Sequence, residues 1–241
     1  MRTDKFLTES GFLTRKEAAK AVRCGRVTVN GAAVSDPARH IDPQADSICL
    51  DGAPVRYAPF VYYMLNKPTG YVSATEDGQL PTVVSLLPPE IQKRCPFPCG
   101  RLDRDTVGLM LLTDDGVLAH RLLAPKNHVP KTYRFACAEP LCPDAEARCA
   151  AGMTLSDGEQ LKPALLCPTP DRMGGEITLS EGKYHQIKRM AGALSNRITA
   201  LERITFGPLT LDPTLRRGEC RPLTDDEIDR LRRAAEMTAA T

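Results

Sequence analysis

At 241 residues, with 42% hydrophobic and 26% charged side chains, the chain can enclose a sizeable core as one large domain or two unequal ones, which excludes global disorder. No segment approaches the ~18 apolar residues that cross a bilayer, and the opening MRTDKFLTES lacks the apolar run of a signal peptide, so a cytoplasmic protein with no membrane partner is expected. The net charge of +2 does not by itself announce a nucleic-acid partner, and the nine cysteines, none in a CxxC pair, read as reduced thiols rather than a zinc site.

The charge is unevenly placed. Residues 1–26 carry Arg2, Lys5, Arg15, Lys16, Lys20, Arg23 and Arg26 against Asp4, Glu9 and Glu17. Residues 27–52 reverse the sign, with Arg39 against Asp36, Asp42, Asp46 and Asp51. The basic segment predicts two short helices. The first covers 4–10 and is stopped by Gly11. The second covers 14–22, opened by a Thr14/Glu17 capping box and closed by Cys24-Gly25. RVTVNGAAV then alternates and turns at Asn30-Gly31, a hairpin signal. Phe6, Leu7, Leu13, Ala18, Ala21 and Val22 can face inward while the cations face water, which fits either a nucleic-acid surface or an ordinary solvated helix face.

DGAPVRYAP, residues 51–59, reads as a linker. Beyond it, short apolar runs (VYYML, GLMLL, TYRFACA, GEITLS, ITALERITF) are broken by Gly, Pro and Asp. This pattern predicts a largely antiparallel α+β domain rather than a βαβ array. A second capping box, Thr224/Glu227, opens a helix over about 225–237, beyond which the tail is expected to fray.

Three stretches can carry chemistry. In GRLDRDTVGLMLLTDDG, residues 100–116, Asp103 stands between Arg101 and Arg104 in a charged loop ahead of an apolar strand. A carboxylate there suits a nucleophile or general base, or a simple loop ion pair. In EGKYHQIKRM, residues 181–190, Lys183, Lys188 and Arg189 interleave with Tyr184 and His185, a pattern suited to phosphate contacts and base stacking or to a solvated helix start. In PKTYRF, residues 130–135, Tyr133 points to one face of a strand. No phosphate-binding glycine loop or nucleophile elbow is present, and His40, His120, His128 and His185 form no metal motif.

GRLDRDTVGLMLLTDDG resembles the catalytic motif of the pseudouridine synthases. NKPTGYVSAT ahead of it and KTY and YHQIKRM after it stand in the order that family shows, and the N-terminal segment resembles an S4-like RNA-binding domain. YHQIKRM and the ending GECRPLTDDEIDRL are similar to the RsuA-type branch, which acts on small-subunit ribosomal RNA; Thr3 departs from the apolar residue usual there. The resemblance implies an S4-like α/β domain over 1–52, a linker over 53–60, and a mainly antiparallel α+β catalytic domain over 61–241. It implies a cofactor-free isomerisation of uridine to pseudouridine, in small-subunit or alternatively large-subunit rRNA, or a non-catalytic RNA-binding assembly factor on the same fold. Asp103 carries over as the catalytic carboxylate, Tyr133 as the residue beside the base, and Lys188 as the cation paired with the aspartate. RNA contacts are expected from Arg101, Lys183, His185 and Arg189, and from Lys5, Arg15, Lys16, Lys20, Arg23 and Arg26. The expected partner is rRNA, the expected state a monomer.

Overall fold

The computed structural model describes residues 1–11, 13–55, 59–124 and 129–237. The chain divides into two units, Met1–Val61 with Pro88–Pro96, and Tyr62–Leu87 with Phe97–Thr241.

The first unit holds helices α1 (Thr3–Glu9) and α2 (Arg15–Arg23) and a four-stranded antiparallel sheet of β1 (Val27–Val29), β2 (Ala32–Ala33), β3 (Ile48–Leu50) and β4 (Ala53–Pro54), ordered β2-β1-β3-β4. Both partners of the expected capping box bond at the start of α2, where the Thr14 N–H donates to Glu17 at 2.8 Å. Asn30 and Gly31 take positive φ (51° and 81°), as a tight hairpin between β1 and β2 requires. Phe6, Leu7, Ala18, Ala21, Val22, Val27, Val29 and Ile48 form the core. Thr3 is fully buried, and its hydroxyl donates to the Arg39 carbonyl at 2.9 Å, so the departure from an apolar residue leaves no polar atom unpaired.

Two boundaries differ from the sequence reading. Ala53 and Pro54, expected to begin the linker, are the edge strand β4, a place where proline's missing N–H costs no ladder bond; Val55 is buried behind them. Residues 56–58 of the expected linker lie outside the described residues. Residues 88–96, with the short helix α3 (Pro89–Gln92), cluster with the first unit. Arg94 donates to the Pro59 carbonyl at 2.7 Å, and its aliphatic stem covers Gly11, where a Cβ would lie 3.2 Å from it.

The second unit is built on strands β5 (Tyr62–Lys67), β6 (Phe97–Pro98), β7 (Val107–Thr113), β8 (Lys131–Cys137), β9 (Leu165–Pro168), β10 (Gly174–Leu179), β11 (Ile198–Arg203) and β14 (Cys220–Pro222). Among the described residues they form an eight-stranded sheet ordered β14-β5-β7-β11-β8-β10-β9, with β6 also paired to β7. Every pairing is antiparallel except β7 with β11. A separate hairpin joins β12 (Thr205–Phe206) to β13 (Leu209–Thr210). Helices α4 (Gly116–Leu123) and α7 (Asp225–Met237) pack with β5 and β7 through Met64, Leu109, Leu111, Leu118, Leu122 and Leu231. Helices α5 (Ala145–Ala151) and α6 (Gln186–Ala193) share a second core with β8, β9 and β10. The capping box of α7 forms as expected, and residues after 237, where fraying was expected, lie outside the described residues.

Strand β7 is buried on both faces, which is why it reads as an unbroken apolar run. At its start Gly108 has φ +101°, and a Cβ there would sit 2.3 Å from the Arg203 carbonyl. This glycine lets β7 and β11 approach closely.

Candidate active site

Residues far apart in the chain meet at a cleft of about 600 Å³ in the second unit. Its floor is one face of two neighbouring strands: Lys131 and Tyr133 on β8, Leu201 and Arg203 on β11, each pair two residues apart and so on one side of the sheet. Its walls are the loop at 100–106 and the segment 181–188, which runs into α6.

The 100–106 loop takes its shape from the NKPTGYVSAT segment. Lys67, at the end of β5, is fully buried, and its ammonium donates to the carbonyls of Thr106 (2.8 Å), Asp103 (3.0 Å), Arg104 (3.2 Å) and Pro68 (3.2 Å). Burial pushes its pKa down to about 8, opposed by the Asp105 and Asp103 charges, so at neutral pH it still offers protons to those carbonyls. The Gly70 N–H donates to the Arg104 carbonyl at 2.9 Å. The Ser73 hydroxyl donates to the Leu102 carbonyl at 2.8 Å and accepts the Leu102 N–H at 2.9 Å. The residues on either side of Asp103 are thereby fixed.

On that frame the Asp103 carboxylate meets α6. Lys188 Nζ lies 3.0 Å from Oδ2, and His185 Nε2 lies 3.5 Å from Oδ1. The same ammonium donates to Asp105 Oδ1 at 2.6 Å. Burial is the largest influence on Lys188 and lowers its pKa, but the hydrogen bonds to Asp105 and Asp103 together outweigh it and leave the group above the ordinary lysine value. His185 sits in the left-handed region (φ 48°) at the N-cap of α6, a conformation that costs a non-glycine residue energy. Its ring stacks on Tyr184 with centroids 3.9 Å apart. Gln186 braces the loop below: its amide donates to Glu181 Oε1 at 2.7 Å and accepts the Lys183 N–H at 3.0 Å.

Asp103, Tyr133, Lys188, Arg101, Lys183 and His185 all line the cleft. Among the described residues Asp103 ion-pairs with Lys188 and has the His185 ring beside it, and no ion pair joins it to its sequence neighbours Arg101 and Arg104. Arg189 does not line the cleft. It faces Asp157 and Glu159 (2.7 Å to the latter), and Lys183 pairs with Glu159 at 3.0 Å. Two of the cations expected to face phosphate are thus already matched to carboxylates. In the first unit Lys5, Arg15, Lys16, Lys20, Arg23 and Arg26 are exposed. Arg26 pairs with Asp51 and Lys5 with Glu9 at 3.5 Å, while no ion pair among the described residues engages Arg15, Lys16, Lys20 or Arg23. His128 lies outside the described residues; among those described, no three His, Cys, Asp or Glu side chains are placed to share a metal ion, and no helix is long and apolar enough to cross a membrane.

Sequence reasoning assigned no role to Lys67, Ser73, Asp105 or Gln186. For Lys67 and Ser73 the available signal was the NKPTGYVSAT segment, whose residues shape a loop; Asp105 and Gln186 stand inside the stretches 100–116 and 181–190, beside the residues singled out there.

A carboxylate set between an ammonium and an imidazole, sharing a cleft with a tyrosine, is an arrangement capable of nucleophilic or acid–base chemistry. The chain belongs to the RNA pseudouridylate synthase family, whose model matches residues 61–193, and an S4 domain matches residues 1–46. It is 44% identical over 231 residues to YtzG of Bacillus subtilis, an uncharacterized RNA pseudouridine synthase, covering 95% of this chain and 97% of that one. It is 41% identical over 232 residues to the ribosomal small subunit pseudouridine synthase A of Escherichia coli K12, covering 95% and 98%. A crystal structure of a pseudouridylate synthase matches with a TM-score of 0.68 at 40% identity, covering 96% of this chain and 99% of that one.

Proposed function

We propose that this protein isomerises one uridine of small-subunit ribosomal RNA to pseudouridine, as a cytoplasmic monomer and with Asp103 as the catalytic carboxylate. The observation that carries the reading is the place of Asp103: on a clamped loop, at the wall of a nucleotide-sized cleft, beside Lys188 and His185. Near full-length relatives that bear the small-subunit name support the choice of RNA.

The reaction breaks the bond between uracil N1 and ribose C1′, turns the base, and joins C5 to C1′. C5 loses a proton and N1 gains one, so atoms and electrons balance without a cofactor. A stacked uridine cannot reach Asp103 and must be flipped out, at a cost of a few kcal/mol that is smallest in loops and irregular helices. Asp103 opens the reaction at the glycosidic centre while Lys188 holds its Oδ2. Tyr133, on the cleft floor, lies against the ring and takes the C5 proton late. Arg101, exposed at the cleft edge, fills the space left by the flipped nucleotide or meets its phosphate. The unpaired cations of the first unit contact phosphates elsewhere on the RNA.

Unmodified small-subunit rRNA, free and partly assembled, is incubated with the protein, and pseudouridines are mapped by carbodiimide-dependent reverse-transcription stops. One new stop is expected, absent with Asp103→Asn although that variant still binds RNA. Asn turnover above about one per cent of the native rate, the lower edge of what losing a catalytic acid or base costs, counts against the role of Asp103. A stop on large-subunit RNA alone overturns the substrate, and no stop on either leaves an RNA-binding factor.

A further inference from the structure

The cation beside Asp103 is a lysine, and that choice has a geometric consequence. A guanidinium can engage one carboxylate through two parallel N–H groups and is held by that fork. An ammonium is a point charge on a flexible four-carbon stem, and a single contact leaves it free to swing. Lys188 also lies in the first turn of α6, where the helix dipole disfavours a cation. Two carboxylates meet it there: Asp103 Oδ2 at 3.0 Å and Asp105 Oδ1 at 2.6 Å. Both come from the loop whose carbonyls at 103, 104 and 106 are gathered by Lys67, so their spacing is set by backbone. Asp105 is mostly exposed and does not line the cleft, so it does not touch the reacting atoms.

We propose that Asp105 is a positioning residue for the reaction, holding the Lys188 ammonium from a second direction so that a lysine presents a fixed N–H to Asp103. The proposal rests on the reading of Asp103 and Lys188 given above, and it concerns the turnover step rather than RNA affinity.

Turnover of rRNA is measured for the native chain, Asp105→Asn, Asp105→Ala, Lys188→Arg and the Lys188→Arg/Asp105→Ala double variant, each checked for native melting. With Asp105→Ala, kcat is expected to fall about tenfold, since small misplacements at a reacting centre are costly, while KM stays level or drops. Asp105→Asn keeps an acceptor and loses less. In the Lys188→Arg background, where a fork can hold Asp103 alone, Asp105→Ala is expected to cost less than about threefold, the two sites being coupled through Lys188. Equal losses in both backgrounds, or a loss confined to KM, overturn the proposal.

A second readout does not depend on turnover. Competitive acetylation of the intact protein without RNA, read by mass spectrometry at Lys188, is expected to quicken several-fold in Asp105→Ala. An unchanged rate overturns the positioning role whatever the activity. A native chain that makes no pseudouridine, with Lys188 still protected by Asp105, sinks the functional reading and leaves the contact standing.

Discussion

A buried ammonium with four carbonyl acceptors has no ordinary substitute. Lys67→Met keeps the stem but strands the carbonyls of Pro68, Asp103, Arg104 and Thr106. The expected cost is about 3 kcal/mol, the range for leaving buried acceptors unsatisfied, or roughly 6–12 °C of melting temperature for a domain of this size, read by calorimetry. Turnover falls further than melting alone explains, because the loop that slackens carries Asp103. A native melting temperature in Lys67→Met would show that the loop is held by other contacts. Asp103 itself was legible in the sequence because it stands inside an almost unbroken motif. Lys67 and Gln186 were not, because what they hold is backbone, and a carbonyl or an N–H has no sequence signature. Lys183 and Arg189 show the converse: their charge was legible, but their partners Asp157 and Glu159 stand in a segment to which sequence reasoning gave no role.

A second residue-scale expectation concerns pH. Burial, with the Arg203 charge adding to it, pushes the Lys131 pKa down to about 7, against about 10.4 in an unfolded chain. Between those values the unfolded chain binds more protons at this position than the native one, so stability rises with pH there. Below pH 7 both states are protonated and the dependence ends. Burial lifts the Cys99 thiol to about 12, so above its unfolded value near 8.5 it works in the opposite sense. Lys67, lowered to about 8, adds a slope of the same sign above that pH, so the window that isolates Lys131 is pH 7 to 8. Urea midpoints of the native protein are expected to climb across that window more steeply than those of Lys131→Met. Equal slopes would mean that Lys131 is charged in the fold.

At the scale of elements, what was legible depended on how local the cause is. The capping boxes at Thr14/Glu17 and Thr224/Glu227 and the Asn30-Gly31 hairpin are decided within four residues, and each forms as expected. The edge strand at Ala53–Pro54 and the 88–96 segment are decided by partners far along the chain, and neither was foreseen. Gly108 lies between these cases. Its place in the motif was visible, but its reason is the Arg203 carbonyl that a Cβ would meet at 2.3 Å, combined with φ +101°. Gly108→Ala must both strain the backbone and part β7 from β11, at a cost of about 3 kcal/mol or more. Soluble yield and urea midpoint measure this; a midpoint within experimental error of native would mean that β7 and β11 can separate without loss.

For the whole molecule, the division of labour between the two units is tested by charge rather than by truncation. Cutting the chain after residue 52 removes most of the unit with which residues 88–96 cluster, so loss of binding in such a fragment would mix affinity with misfolding. Arg15, Lys16, Lys20 and Arg23 offer a cleaner change, because they are exposed and no ion pair among the described residues engages them. Replacing all four with glutamine leaves the buried face of α2, Ala18, Ala21 and Val22, untouched. Each phosphate contact contributes about 0.7 to 0.9 to the slope of log affinity against log salt. If all four meet phosphate, the slope is expected to shrink by about 3 and rRNA to bind more weakly at low salt, while kcat at saturating RNA stays within about twofold. An unchanged slope places the phosphate contacts on other residues, and a collapse of kcat with the slope intact gives the first unit a part in the chemistry instead of the anchoring.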